Sequence, residues 1–333
     1  MYNEIQSLVL NLNIEIIIKE IIKIKQKNPS TFLGKGNLLR LKDKIIKYKI
    51  NLLIINNNLS PSQQRNLEKL LNIKVTDRSG IIIEIFSKRA STKESRLQVE
   101  LAELIYRKSR LVRAWTHLER QRGGTTFIGG PGELQIELDK RLIQSKIVRI
   151  KKRLVKVKAR RKIQRKSRLN SNFQTFALVG YTNAGKTKLF NKLTKKKQSS
   201  QNKLFETLDT KISKFYLNDH QVGIIDTVGF INNIPTQLIE SFHATLEEIN
   251  SANFIINVVD VNDINAHDKI LTTKRILKET GVSEDKISKM INVYNKIDLS
   301  NSNYKQTQNR IFISALTGEG IENLKDSIER KLT

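Results

Sequence analysis

Apolar residues along this chain recur with different periods, and each period predicts a different element. From Met1 to about Ser87, short aliphatic runs alternate with stretches of helical spacing. Ile14–Ile18 (IEIII), Asn51–Asn56 (NLLIIN) and Ile73–Asp77 (IKVTD) read as strands, because β-branched and aliphatic side chains pack well on a pleated surface. Asn37–Lys49 and Ser60–Leu71 place apolar residues three and four apart. Ser60 and Pro61 add an N-cap followed by proline at the first helical position. The expectation is a small α/β domain over residues 1–94. Within it, TFLGKGN (Thr31–Asn37) superficially resembles a phosphate loop, but it lacks the spacing and the Ser/Thr such a loop needs, and it reads as a turn.

The pattern then changes. Leu97, Leu101, Leu104, Leu111, Trp115 and Leu118 keep a spacing of three and four, broken only by Lys108. Ile136, Ile143, Ile147, Ile150, Leu154 and Val157 resume it after GGTTFIGGPG (Gly123–Gly132). Two long helices with a Gly-rich tip predict an antiparallel coiled-coil hairpin over residues 95–170, the stripe being its seam rather than a cofactor box.

A third region, residues 171–333, opens as strand, loop and helix in TFALVGYTNAGKTKLFNKL. Gly180, Tyr181, Thr182, Asn183, Ala184, Gly185, Lys186 and Thr187 fit G-x-x-x-x-G-K-[ST] in the context that gives the pattern its meaning. The glycines let successive N–H groups face the α- and β-phosphates, and the helix N-terminus adds partial positive charge. Lys186 reaches the β/γ oxygens, and the Thr187 hydroxyl ligates Mg²⁺. GIIDTVGF follows, with Asp226, Thr227, Val228 and Gly229 at the end of an apolar strand; Asp226 can hold Mg²⁺ through a water, and the Gly229 N–H can meet a γ-phosphate. Further on come Asn295, Lys296, Ile297 and Asp298 (NKID), then Ser314, Ala315 and Leu316 (SAL). Asp298 can accept from guanine N1–H and N2–H₂, a donor pair adenine does not present. A buried carboxylate left unpaired against adenine would cost several kcal/mol, so guanine preference follows. Lys296 can lie over the ring, Asn295 can brace the loops, and the SAL segment offers a backbone N–H to O6. Between the first two motifs, in LFETLDT, Thr207 is the candidate to close on Mg²⁺ and the γ-phosphate, the alternative being a surface threonine. The fold class expected is α/β: a small N-terminal α/β domain, a helical hairpin, then a Ras-like P-loop GTPase domain with a mostly parallel sheet flanked by helices.

Composition narrows the partners. A length of 333 residues suits about two domains. The net charge is +28, and from Lys140 to Arg168 there are fifteen Lys or Arg and no Asp or Glu. A solvated helix face normally mixes signs, so this run points to a polyanion contacted through its backbone phosphates, few aromatics being interleaved for stacking. The competing reading is drift in an A+T-rich coding sequence, which also enriches Ile and Asn. The chain has no Cys, which excludes disulfides, thiolate metal sites and a Cys nucleophile. His117, His220, His243 and His267 lie too far apart for metal-ligand spacing. The N-terminus has acidic residues and no basic region before an apolar stretch, and no apolar run reaches the roughly 18 residues of a membrane span. A monomeric, cytoplasmic protein without a membrane span is expected.

TFLGKG, DRSGIIIEIFSKRA (Asp77–Ala90), LQVELAEL (Leu97–Leu104), GGPGELQIELDKRLI (Gly129–Ile143), GYTNAGKT, FETLDT and DTVGF together resemble the HflX family of ribosome-associated GTPases, over nearly the whole chain. The resemblance implies that the N-terminal unit and hairpin engage the large ribosomal subunit and its rRNA, with the tip near the peptidyl-transferase region. It implies a role in splitting or rescuing stalled ribosomes, with GTP or GDP as nucleotide and Mg²⁺ as cofactor. By the same resemblance Phe205, Glu206, Thr207, Leu208 and Asp209 join the three motif sets above in binding GTP, with Thr187 and Thr207 on Mg²⁺. At the ends the pattern differs: many relatives start with an additional strand and carry a small C-terminal domain, whereas this chain stops one helix, IENLKDSIERKL, after the guanine loops.

Phe230 stands where many Ras-like GTPases place the Gln that orients the attacking water. An apolar side chain cannot do this, and the sequence offers no obvious substitute, so the catalytic residue is unknown and unaided hydrolysis is expected to be slow. Two other readings stand beside a ribosome-stimulated GTPase. One is an RNA-binding module whose GTPase has decayed. The other is a GTPase of ribosome assembly or tRNA modification.

Overall fold

The computed structural model describes residues 2–112, 131–169, 173–195, 205, 208, 210–217, 220–231, 246–300, 304 and 310–332. The chain divides into two compact units: residues 1–88 with 96–155, and residues 89–95 with most of 156–333.

In the first unit, helix α1 (Tyr2–Asn11) is followed by α2 (Lys35–Lys47), strand β1 (Leu52–Ile55), α3 (Pro61–Leu71), β2 (Lys74–Asp77) and α4 (Arg78–Arg89). β1 and β2 pair in parallel, Leu52 opposite Lys74 through Ile55 opposite Asp77. Leu38, Leu41 and Ile45 of α2 and Leu67 and Leu71 of α3 bury their side chains with Ile55 and Val75. Ser60 caps α3 as expected, in a reciprocal pair with Gln63 and with proline at the first helical position. Thr31–Asn37 forms a turn that closes through Asn28 and Phe32 and then enters α2. Ile14–Ile18 differs from the expectation. Ile14, Ile16 and Ile18 are half-buried while Glu15 and Ile17 are exposed, so the alternation is that of a strand, yet among the described residues the segment joins no ladder. Alternation fixes which face turns inward; a strand also needs a neighbouring backbone, and β1 is paired only with β2.

Helices α5 (Lys93–Val112) and α6 (Pro131–Leu169) form the hairpin. Leu97 and Leu101 pack with Ile147, Ile150 and Leu154, flanked by Leu104, Ile105 and Ile143. Lys108, which interrupts the stripe, reaches Gln144 Oε1 at 2.7 Å. Trp115, Leu118 and Gly123–Gly129 of the seam and tip lie outside the described residues. Near the C-terminal end of α5, Asp77 accepts from four donors: Tyr106 Oη at 2.8 Å and Gly80 N at 2.9 Å on one oxygen, Arg110 Nη2 at 2.9 Å and Leu59 N at 3.1 Å on the other. Burial, and then the Asp77 charge, push the Tyr106 phenol well above the usual tyrosine range. One fully satisfied carboxylate therefore ties α5 to β2, α4 and the β1–α3 turn.

The second unit is a six-stranded sheet in the order β4-β5-β3-β6-β7-β8. It comprises β3 (Thr175–Val179), β4 (Lys211–Leu217), β5 (His220–Asp226), β6 (Phe254–Asp260), β7 (Ile291–Asn295) and β8 (Arg310–Ile313). Only β4 runs antiparallel. Every residue of β3 is buried, as a central parallel strand requires. Phe176 and Leu178 face one layer with Leu189, Phe190, Leu324 and Ile328, from helices α7 (Lys186–Thr194) and α10 (Ile321–Glu329). Ala177 and Val179 face the other with Ile255 and with Leu277 of α8 (Ala266–Glu279). A short helix α9 (Glu284–Ser288) precedes β7. The loops leaving the carboxyl ends of β3, β5, β6, β7 and β8 carry the candidate chemistry, where open α/β sheets place their ligands.

Candidate nucleotide-binding site

The loop from Gly180 to Gly185 leaves β3 and turns into α7. Gly185 is the N-cap of α7 with φ 96°, and a Cβ there would lie 2.1 Å from Asn295 Nδ2, so both conformation and space demand glycine. Lys186 is buried at the first position of α7, with its Nζ donating to the Gly180 carbonyl at 3.0 Å and the Tyr181 carbonyl at 2.7 Å. Burial pushes its ammonium down to about 8, and the Asp226 carboxylate only partly offsets this. Thr187 Oγ1 donates to Asp226 Oδ2 at 3.0 Å. A hydroxyl and a carboxylate oxygen thus stand together beside a buried cation, a donor set that suits Mg²⁺ shared with phosphates.

The segment after β5 zips onto this loop. Thr182 N donates to the Phe230 carbonyl at 2.8 Å, and Phe230 N donates to the Gly180 carbonyl at 3.0 Å. Gly229 permits the approach, since a Cβ there would meet Thr182 Cα at 2.8 Å and Lys186 Nζ at 2.9 Å. Thr227 is fully buried and its hydroxyl donates to the Leu178 carbonyl, while Val228 is buried beside it. The Phe230 ring is buried in the layer that holds Tyr181, Ile225 and Leu246.

Asn295 joins the loops. Its Nδ2 donates to the Ala184 carbonyl at 2.8 Å and its Oδ1 accepts from Ala315 N at 2.9 Å. The Ala315 amide of the SAL segment therefore serves the brace. Ser314 is buried and donates from Oγ to Asp298 Oδ1 at 2.5 Å, which fixes that carboxylate at the rim, while Leu316 is exposed. Ile297 and Asp298 sit in a single 3₁₀ turn, Ile297–Leu299. Lys296, with φ 73°, pairs its Nζ with Asp260 Oδ2 at 2.7 Å. Sequence reading passed over Asp260; the only signal it left was an Asp closing the strand FIINVVD. Of the remaining candidates, Phe205 is buried with φ 56° and Leu208 is half-buried. Glu206, Thr207 and Asp209 lie outside the described residues. The structure thus brings together residues 180–187, 226–229, 295–298 and 314–316. Among the described residues no group of three or more His, Asp or Glu forms a separate metal cluster.

Known proteins match this arrangement over the whole chain. Residues 1–87 match the family model of a GTP-binding GTPase N-terminal region, residues 89–168 that of a GTP-binding GTPase middle region, and residues 175–296 that of a 50S ribosome-binding GTPase. The chain is similar to the GTPase HflX of Magnetococcus marinus, 43% identical over 334 residues that cover 98% of this chain and 77% of that one. It is 37% identical over 338 residues to the GTPase HflX of Escherichia coli, covering 99% of this chain and 78% of that one. Its fold is similar to the crystal structure of a GTP-binding protein from Sulfolobus solfataricus in complex with GDP, with a TM-score of 0.51, 25% identity, and coverage of 99% of this chain and 94% of that one.

Removing the Asn295 side chain leaves a buried carbonyl at Ala184 and a buried amide at Ala315 without their partner. Asn295→Ala is expected to destabilise the second unit by about 2–6 kcal/mol, at roughly 1–3 kcal/mol for each of the two stranded groups. Calorimetric unfolding reads this directly, and an unchanged transition would contradict the bracing role.

Proposed function

The chain belongs to the HflX family of GTPases, and on that premise we propose that it binds the large ribosomal subunit, hydrolyses GTP there, and splits or rescues stalled ribosomes. The observation that carries the nucleotide half is the convergence of buried Lys186 with the Thr187–Asp226 pair at the mouth of the loop. Lys186 leaves the loop carbonyls for the β/γ oxygens when phosphate enters, and the loop N–H groups take the remaining phosphate charge. Thr187 and Asp226 are the oxygens that would hold Mg²⁺, which supplies neutralisation of the β- and γ-phosphate charge when bound; Thr207 is proposed as its partner from the switch segment. Phe205, Glu206, Leu208 and Asp209 belong to that same segment. Asp298 accepts from guanine N1–H and N2–H₂, Lys296 covers the ring face, and, with the Ser314 and Ala315 amides engaged within the chain, the Leu316 N–H is the donor of the 314–316 segment proposed for O6.

Hydrolysis is the weak step. Phe230 buries its ring and spends its backbone on the phosphate loop, so this position orients no water. Catalytic order comes from the partner. On the hairpin, Arg141, Lys146, Arg149, Lys151, Lys152 and Arg153 are exposed around the buried seam residues Ile147, Ile150 and Leu154 of α6. Such a face suits contact with rRNA phosphates and makes subunit binding steeply salt-dependent.

Sucrose-gradient sedimentation of intact ribosomes with the protein and a non-hydrolysable GTP analogue tests the cellular role. Separation into subunits is expected. Cosedimentation with ribosomes that stay whole would contradict splitting and favour assembly or storage.

Lys186 adds a pH dependence. Its free pKa of about 8 lies below the usual lysine value, and a bound polyphosphate favours the protonated form, so binding above pH 8 takes up a proton. GDP affinity is therefore expected to be flat below pH 8 and to fall by up to about tenfold per unit above it. Titration calorimetry in buffers of differing ionisation enthalpy should show the uptake, and constant affinity up to pH 9.5 would refute it.

A further inference from the structure

The loop after β6 holds the lysine of the NKID turn from two sides. Lys296 Nζ pairs with Asp260 Oδ2 at 2.7 Å, and the Lys296 carbonyl accepts from Asn262 Nδ2 at 2.9 Å. Asp260 Oδ1 accepts from Asn262 N at 3.1 Å, and Val261 N donates to the Asn295 carbonyl at 3.0 Å. These contacts fall on a residue that needs holding, because Lys296 has φ 73°, in the left-handed region that side chains other than glycine disfavour. Its carbonyl also accepts from Leu299 N at 3.2 Å, the bond that opens the 3₁₀ turn carrying Asp298. The backbone direction at Lys296 therefore sets the direction of Asp298.

We propose that Asp260 and Asn262 are positioning residues for base recognition, clasping Lys296 so that its stem lies over the guanine ring and Asp298 points at the guanine edge. This rests on the reading that residues 295–298 meet guanine. The Lys296 and Asp260 side chains are part-buried, 21% and 25% exposed, so the pair holds both in one geometry with little competition from water. That geometry fixes the orientation of the turn. Without the clasp, Lys296 is free to relax from its left-handed conformation, and the turn that carries Asp298 relaxes with it.

The test uses the full chain with Asp260→Asn, Asn262→Ala and Asp260→Glu. Asn262 is exposed and Asp260 sits at a loop entrance, so neither substitution opens the core. Release of fluorescently labelled GDP is compared with release of labelled IDP, whose base lacks the 2-amino group that Asp298 would meet. Asp260→Asn and Asn262→Ala are expected to release GDP about three- to tenfold faster, the effect of losing one or two modest polar contacts. The preference for GDP over IDP should shrink in both, and Asp260→Glu should restore part of it. Wild-type release in both variants would overturn the proposal, as would equal acceleration of GDP and IDP, since a loop that merely loosens the site has no reason to spare the contact to the 2-amino group. If the wild-type chain shows no preference for GDP over ADP, the guanine reading of 295–298 itself falls and the proposal falls with it.

Discussion

The amide of Asn295 is the contact on which the second unit's chemistry depends. It spans 111 positions of sequence to reach the Ala184 carbonyl and 20 to reach the Ala315 amide. Phosphate loop, base loop and the segment after β8 are thereby held as one frame before any nucleotide arrives. Preorganisation of this kind moves the entropic cost of ordering three loops from binding to folding. Gly185 lies against the same amide so closely that no side chain fits, which ties the conformation of the phosphate loop to the position of the brace.

A second frame lies in the first unit, where Asp77 gathers Tyr106, Arg110, Gly80 and Leu59. Removing one partner from such a network strands a buried charge, so the C-terminal half of α5 is as firmly specified as the nucleotide site. Under the proposed function, the basic run of α6 offers charge to rRNA phosphates, and Phe230, unable to orient water, leaves hydrolysis dependent on that partner.

The phosphate loop, the DTVG segment, the NKID and SAL turns and the hairpin seam were all legible in the sequence, because each is a local pattern of residue types at fixed spacing. What escaped was tertiary. Ile14–Ile18 alternates like a strand, but alternation says nothing about whether a partner backbone will pair with it, and among the described residues it joins no ladder. Lys108 interrupts the seam by its sequence and is accommodated by Gln144, 36 residues away. Asp260 and Lys296 are equally far apart, and no motif links them. Phe230 was visible as a missing glutamine; its backbone pairing with Gly180 and Thr182 required the fold.

The central claim is that this G domain is built to bind nucleotide by itself and to hydrolyse it only in company. Single-turnover GTP hydrolysis by the purified chain, with and without large ribosomal subunits, tests it most directly. Without subunits the rate should be on or below the order of 10⁻⁴ s⁻¹, as for unassisted small GTPases, and with them it should rise by orders of magnitude. Equal rates in the two conditions would contradict the account.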